Sequence, residues 1–314
     1  MSVSPSSSSI SDHSDFYGWD GSFLRSVPVP GAGSLASVDG HYFVTFNADS
    51  SGKLWNSSGR VIRDFDEPTV EQGMSTLNWA ADGDYFCGLE SHGAGYSVVV
   101  EDVAGRFQHF PLDLPADVLS PDGLRFMSVE CSLTSHRALI SGDFDVNGVF
   151  SHTQVALMSL PDGHEISDVR LDTGSGGGSP DLHWYAAFDS DSAGWHTEII
   201  DLTDGTISGK LDGYFQFAPD SHHVVGTDGH GVAAVVDWRT KAELWKGPGH
   251  LVMVMASADP STNMMLLWLS TGQTQGGTDT YDYWIVDGTG NAHRFDPRDC
   301  TPIEVSPTRL CWSS

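Results

Sequence analysis

Ser120-Pro121-Asp122-Gly123, followed by Leu124-Arg125-Phe126-Met127-Ser128-Val129, is the stretch from which the rest of the chain can be read. Proline presets φ for the second position of a turn, aspartate bonds its own backbone, and glycine takes positive φ without steric cost. The residues that follow are a short apolar run of strand character. The same mark recurs as Asp39-Gly40, Asp82-Gly83, Ser179-Pro180-Asp181, Ala218-Pro219-Asp220, Ala258-Asp259-Pro260 and Ser306-Pro307. From Asp39 through Asp82, Asp122, Asp181, Asp220 and Asp259 to Pro307, the steps are 43, 40, 59, 39, 39 and 48 residues. Helical periodicity is almost absent, so a period of about 40 residues describes a repeated unit of four strands.

The second half of each unit carries the same logic. Tyr96 to Val100 runs into Asp102-Val103-Ala104-Gly105, Val155 to Leu160 into Pro161-Asp162-Gly163, and Glu198 to Leu202 into Thr203-Asp204-Gly205. Val232 to Val236 meets Asp237-Trp238-Arg239-Thr240, and Tyr283 to Val286 meets Asp287-Gly288. The ends complement each other. Pro302 to Val305 and Leu310 to Ser313 are two strands without an outer pair, while Phe16 to Trp19 and Ser22 to Val27 are two without an inner pair. Pairing them covers edges that would otherwise stand open. The expected fold is all-β: a seven-bladed β-propeller of four-stranded antiparallel blades, its last blade shared by the N-terminal and C-terminal strands. Residues 1–15 read as a disordered Ser-rich tail and 16–314 as a single domain. A β-sandwich with chance turn spacing is the competing architecture.

The Ser-Pro-Asp-Gly turn with its flanking apolar strands resembles the WD-repeat and TolB-like β-propeller superfamily. Val235-Val236-Asp237-Trp238-Arg239-Thr240-Lys241-Ala242-Glu243-Leu244-Trp245 is similar to the outer hairpin of quinoprotein-type propellers. No regular Trp-Asp pair ends each repeat, and the quinoprotein-type hairpin lacks its usual glycine between Thr240 and Lys241. The resemblance implies a fold and no particular activity.

Composition excludes several classes of function. Forty-two Asp and Glu stand against 15 Lys and Arg, a net charge of −27, the wrong sign for a phosphate backbone or an anionic membrane surface. Ten Trp and 35 Gly are foreign to a disordered acidic tail. Met1 to Ser11 has neither a basic nor an apolar region of signal-peptide type, and no run reaches 18 apolar residues. The chain therefore reads as cytoplasmic. Cys87, Cys131, Cys300 and Cys311 show no metal-site spacing and are expected as reduced thiols, although Cys300 and Cys311 are near enough in sequence to bridge.

The extra length falls in three segments, Ser132 to Ser151, Asp189 to Trp195 and Ser270 to Thr280, read as long loops on one face of the ring. Asp143-Phe144-Asp145-Val146-Asn147-Gly148 places hard oxygen donors at alternate residues before a glycine, as a calcium loop does. The acid wanted at its twelfth position is Gln154, so an acidic Asx-turn hairpin is the other reading. Apart from that calcium site (Asp143, Asp145, Asn147) no cofactor is expected. Fourteen histidines show no fixed metal spacing: His222 and His223, as neighbours on a strand, face opposite sides. Gly174-Ser175-Gly176-Gly177-Gly178 precedes no helix and so is no phosphate loop. It reads either as a flexible interblade loop or as an inner strand that leaves room in a central channel.

These features favour a non-enzymatic interaction propeller. Its partner is a protein or peptide, basic if charge steers recognition, held by Asp143, Asp145, Asp189, Asp191, Trp195 and Asp279. A small-molecule hydrolase or lyase at the channel, metal-assisted or not, is the alternative, and a glycan-binding propeller the weaker one.

Overall fold

The computed structural model describes residues 14–18, 20, 22–27, 33–36, 42–46, 51–56, 58–66, 78–80, 85–92, 95–113, 124–146, 149–172, 174–191, 194–256, 263–273, 279–295, 300–305 and 308–313. Every element among them is a β-strand. The first two, β1 (Ser14–Gly18) and β2 (Phe23–Val27), are followed by β3 (Gly33–Ala36), β4 (Tyr42–Phe46), β5 (Ser51–Asn56) and β6 (Val61–Asp66), and β3 to β6 form one sheet in that order. A second sheet holds β7 (Asn78–Trp79), β8 (Tyr85–His92), β9 (Gly95–Asp102) and β10 (Phe107–Leu112). A third holds β11 (Leu124–Ser132), β12 (Arg137–Val146), β13 (Val149–Ser159) and β14 (Glu165–Leu171).

Ten strands then run on as one sheet. They are β15 (Gly174–Gly178), β16 (Trp184–Asp191), β17 (Gly194–Asp201), β18 (Ile207–Phe217), β19 (His223–Asp228), β20 (Val232–Asp237), β21 (Ala242–Ala256), β22 (Met264–Gln273), β23 (Asp279–Asp287) and β24 (Ala292–Phe295). Two long strands join its parts. Residues 207–212 of β18 pair with β17 and 213–217 with β19; residues 242–250 of β21 pair with β20 and 250–256 with β22. The ten-stranded sheet is thus three successive four-stranded groups. Finally β25 (Cys300–Val305) and β26 (Thr308–Ser313) join the chain's start in the order β2-β1-β26-β25, with Phe16 opposite Leu310. All pairs of these strands are antiparallel.

The burial patterns say how the groups stack. The outer strand β14 alternates, with its inward face at Leu171, as a strand with one solvated face must. The middle strand β20, Val-Ala-Ala-Val-Val-Asp, is buried at four consecutive positions, so it is covered on both faces. What covers it is the neighbouring group: one core joins Ala186, Ile199 and Leu211 to Val224, Ala234 and Val236. Another joins Val225 and Val235 to Met265 and Leu267. Similar cores join β8 and β9 to β11–β13, and β12–β14 to β16 and β17.

The hairpins between third and fourth strands bear out the Asp-rich reading. Asp102 Oδ1 accepts the amides of Ala104 and Arg106, Asp237 Oδ1 those of Arg239 and Thr240, and Asp287 Oδ1 those of Thr289 and Asn291. Gly105, Gly205 and Gly290 take the left-handed position, at φ of 80°, 72° and 88°. At the equivalent place Lys241 does so at 59°.

The first-to-second turn of the third sheet differs from expectation. Ser120-Pro121-Asp122-Gly123 lies outside the described residues, and Leu124–Ser132 is the end strand of its sheet rather than the second. The turn is instead Ser132-Leu133-Thr134-Ser135-His136. Ser132 and Arg137 face each other across it, as Ala80 and Tyr85, Ser179 and Trp184, and Ala218 and His223 bracket the other turns. His136 holds φ at 55°, matching Leu182 at 51° and Ser221 at 59°. Its local bond from Ser135 N to Ser132 Oγ supplies what glycine or proline would have signalled.

The three supposed long loops are corrected with it. Ser132 to Ser151 is that turn, the strand β12 and a tight hairpin; Val146 lies opposite Val149. Asp189 to Trp195 belongs to the β16–β17 hairpin, and Ser270 to Thr280 is largely extension of β22 and β23, with 274–278 outside the described residues. Gly174–Gly178 is a strand, paired to β16, and not a flexible loop. A Cβ at Gly176 would run into the Ala186 carbonyl oxygen, while Gly177 faces open space.

The cysteines are a second correction. Cys87 on β8 and Cys131 on β11 form a disulfide, Cα atoms 6.1 Å apart, inside the core between the second and third sheets. Forty-four residues separate them, so only stacking of the two sheets brings them together. Register sets Cys300 opposite Ser313 and Cys311 opposite Pro302.

Candidate interaction surface

The residues singled out from the sequence fall at the tips of second-to-third-strand hairpins in three different groups. Asp143 and Asp145 lie near the end of β12, Asp189 and Asp191 near the end of β16, Trp195 at the start of β17 and Asp279 at the start of β23. Only those within one hairpin are brought together. Asn147 lies outside the described residues.

The β16–β17 tip is the best defined. Register puts Ser190 opposite Trp195 and Phe188 opposite Thr197, so the four project to one side of the hairpin. Trp195 is 65% exposed. Phe188 stacks on Tyr214 at 3.8 Å between ring centroids, and Tyr214 is itself 47% exposed. The aromatic pair is held from beneath by Thr197. Its hydroxyl donates to Gly213 O and accepts from Phe215 N, both at 2.9 Å, fixing the bend where β18 passes from one group to the next.

The other side of the hairpin is polar. Asp189, His196 and Asp212 lie in register across β16, β17 and β18. His196 is buried, with Nε2 3.2 Å from Asp189 Oδ2 and 3.7 Å from Glu198 Oε1. Lys210 Nζ stands 3.7 Å from the same Glu198 oxygen. The Trp195 indole, left exposed at the tip, is a physical liability unless something covers it. Covering a ring of that size contributes about 2 kcal/mol.

Asp143 does not stand in a loop. It sits in extended β12, half-buried, and its Oδ1 accepts the Thr153 hydroxyl from β13 at 2.8 Å. Phe144 stacks on His152 at 5.0 Å and 6°. A calcium loop wraps its donors around one point; here the Asp143 carboxylate stands in a strand. Among the described residues no group of three or more His, Cys, Asp or Glu is arranged to hold a metal ion.

Two polar clusters had no strong signal in the sequence. Glu130 on β11 reaches the glycine strand β15, where Gly178 N donates to its Oε1 at 3.2 Å. Part of the side chain meets solvent, yet its carboxyl is ringed by protein, and this burial pushes its pKa up against the single amide that favours the anion. Tyr185 OH accepts Gly176 N at 2.8 Å, and burial holds the phenol well above its ordinary value. The only hint was an acid, Glu130, within an apolar strand. The second cluster joins the turns at the far ends of the strands. Arg239 lies 4.1 Å over the Trp238 ring and 5.3 Å over Trp184, and its Nη1 donates to His222 Nδ1 at 3.1 Å. Nearby Asp220 is held low: burial acts to raise it, but the His223 ring and the amides of His222 and His223 outweigh that.

No protein-family model matches this chain, and no curated protein matches it by sequence. Among solved structures it is similar to one titled "Structure of Dos1 propeller". The TM-score is 0.49 at 13% identity, over 89% of this chain and 77% of that one. Among the described residues no helix is long and apolar enough to cross a membrane.

Proposed function

We propose that the chain is a seven-bladed propeller, of the general WD-repeat and TolB-like kind, that acts as a non-enzymatic interaction module. Among the described residues, seven four-stranded groups support this reading when the halves of β18 and β21 are taken separately. The pairing of β1 with β26 supports closure of the ring. In this reading a protein or peptide partner, of basic character, sits on the face where the β12–β13, β16–β17 and β22–β23 hairpins end.

The observation that carries it is Trp195. A side chain of that size, 65% exposed on the same side of its hairpin as the Phe188–Tyr214 stack, with Asp189 on the other side of the same tip, has the composition of an interface anchor: aromatic at the centre, charged at the rim. The net charge of −27 favours a basic partner through the long-range field. The test is affinity capture from native extract with the wild-type chain and Trp195→Ala side by side. The reading predicts proteins retained by the wild type and lost from the variant, with loss also at raised salt. Identical captures on both would remove this face from consideration.

A further inference from the structure

A cleft of about 460 Å³ opens at the outer edge of the core between two consecutive four-stranded groups. Its floor is apolar: Leu211 and Phe215 from β18, Ala234 and Val236 from β20, all buried. Its rim is charged, with Lys210, Asp212, Asp228, Lys241 and Glu243. The chain has only four lysines, and three of them, Lys210, Lys241 and the adjacent Lys246, gather here.

The charges on this rim are not equivalent. Lys246 Nζ lies 2.8 Å from Asp228 Oδ2 and 3.4 Å from Glu243 Oε2, so it engages both acids. Asp228 is held low because Lys246 and the amides of Val232 and His230 outweigh the burial that would raise it. Lys210 is turned to Glu198. Among the described residues of the rim that leaves one cation, Lys241 at the β20–β21 turn, and one anion, Asp212 at the other end of the strands by register, without an ion-pair partner beside an apolar cleft.

We propose that this cleft binds a short apolar peptide with free termini, its carboxylate at Lys241, its ammonium at Asp212 and its side chains on the Leu211–Phe215–Val236 floor. The volume falls in the range of small-ligand sites, about 300–1,000 Å³. A purely anionic ligand would be repelled by a chain of net charge −27, whereas a zwitterion is not. Asp212 borders the polar side of the Trp195 hairpin, whereas Lys241 belongs to the β20–β21 turn, so loss of peptide binding in Lys241→Asn separates this site from the Trp195 surface.

The experiment is calorimetric titration of the full chain with Leu-Ala-Leu bearing free termini, and with the same peptide acetylated and amidated. Lys241→Asn and Asp212→Asn are tested beside the wild type. Both side chains are exposed, and asparagine tolerates the left-handed φ of 59° at position 241. The free peptide binds the wild type. Either substitution weakens binding by about tenfold or more, the loss of one charge-assisted contact, and blocking both termini, which removes two, weakens it further. Equal binding of free and blocked peptides, unchanged binding by either variant, or no binding at millimolar peptide overturns the proposal.

Discussion

Gly178 donates its backbone N–H to the Glu130 carboxylate at 3.2 Å, joining the end strand of one sheet to the end strand of the next. A side chain at position 178 would crowd both Glu130 Oε2 and Leu139, so the approach depends on glycine. The contact sets a burial cost against a single hydrogen bond, and burial is the larger effect.

The pH dependence of that contact is testable. With its pKa raised in the folded chain, Glu130 contributes stability that is fully present below the ordinary carboxyl value, near 4.5. The contribution is lost as pH rises through the folded value. Glu130→Gln keeps the acceptor for Gly178 and is neutral at every pH. Its melting temperature should exceed that of the wild type at pH 8 and match it at pH 4. A variant less stable than wild type at pH 8 would mean that the ionised form is the one the fold favours.

Neighbouring glycines in β15 should respond oppositely. Gly176→Ala drives a methyl group against the Ala186 carbonyl and the Tyr185 ring and should cost about 1–3 kcal/mol or more. Gly177→Ala enters open space and should be neutral, or stabilise by about 0.4–1 kcal/mol through the unfolded chain. Urea denaturation of the two variants separates them; equal destabilisation would place β15 elsewhere.

The Cys87–Cys131 bond should survive purification. Alkylation of the denatured, unreduced chain should leave both residues unmodified, and reduction should destabilise the protein by about 2–4 kcal/mol. Full alkylation of both without reductant would restore the reading as thiols.

Calcium should do little. Asp143 lies in a strand and its Oδ1 already accepts the Thr153 hydroxyl, so millimolar Ca²⁺ should leave the melting temperature unchanged. A clear rise would require ligand binding to the native state, and with it a rearranged β12–β13 tip.

How much of this was legible depends on what each residue does locally. Asp102 with Gly105 and Asp287 with Gly290 announce their hairpins, because the aspartate bonds and the positive φ are made within four residues. Ser132 to His136 makes an equivalent turn with no glycine or proline, a histidine taking the left-handed position, so Ser120-Pro121-Asp122-Gly123 drew the reading instead. The supposed long loops hid strands because hairpin tips rich in Asp, Ser and Gly look alike whether paired or not. Cys87 with Cys131, and Glu130 with Gly178, are 44 and 48 residues apart; they meet only once sheets stack. Trp195 and Asp189 were found because an aromatic among acids is conspicuous, but their bracing by His196 and Thr197 was not.

The account rests most heavily on the two ends of the chain sharing one sheet, and the register offers a direct test. Asp15 on β1 lies opposite the native Cys311 on β26, where facing residues of an antiparallel pair have Cα atoms about 4.5–5.5 Å apart. Asp15→Cys, oxidised mildly as a monomer and mapped by peptide mass, should give a crosslink from the introduced thiol to Cys311 in high yield. A monomer in which the introduced thiol stays free, or bonds elsewhere, would contradict the shared sheet and, with it, the proposed closure of the ring.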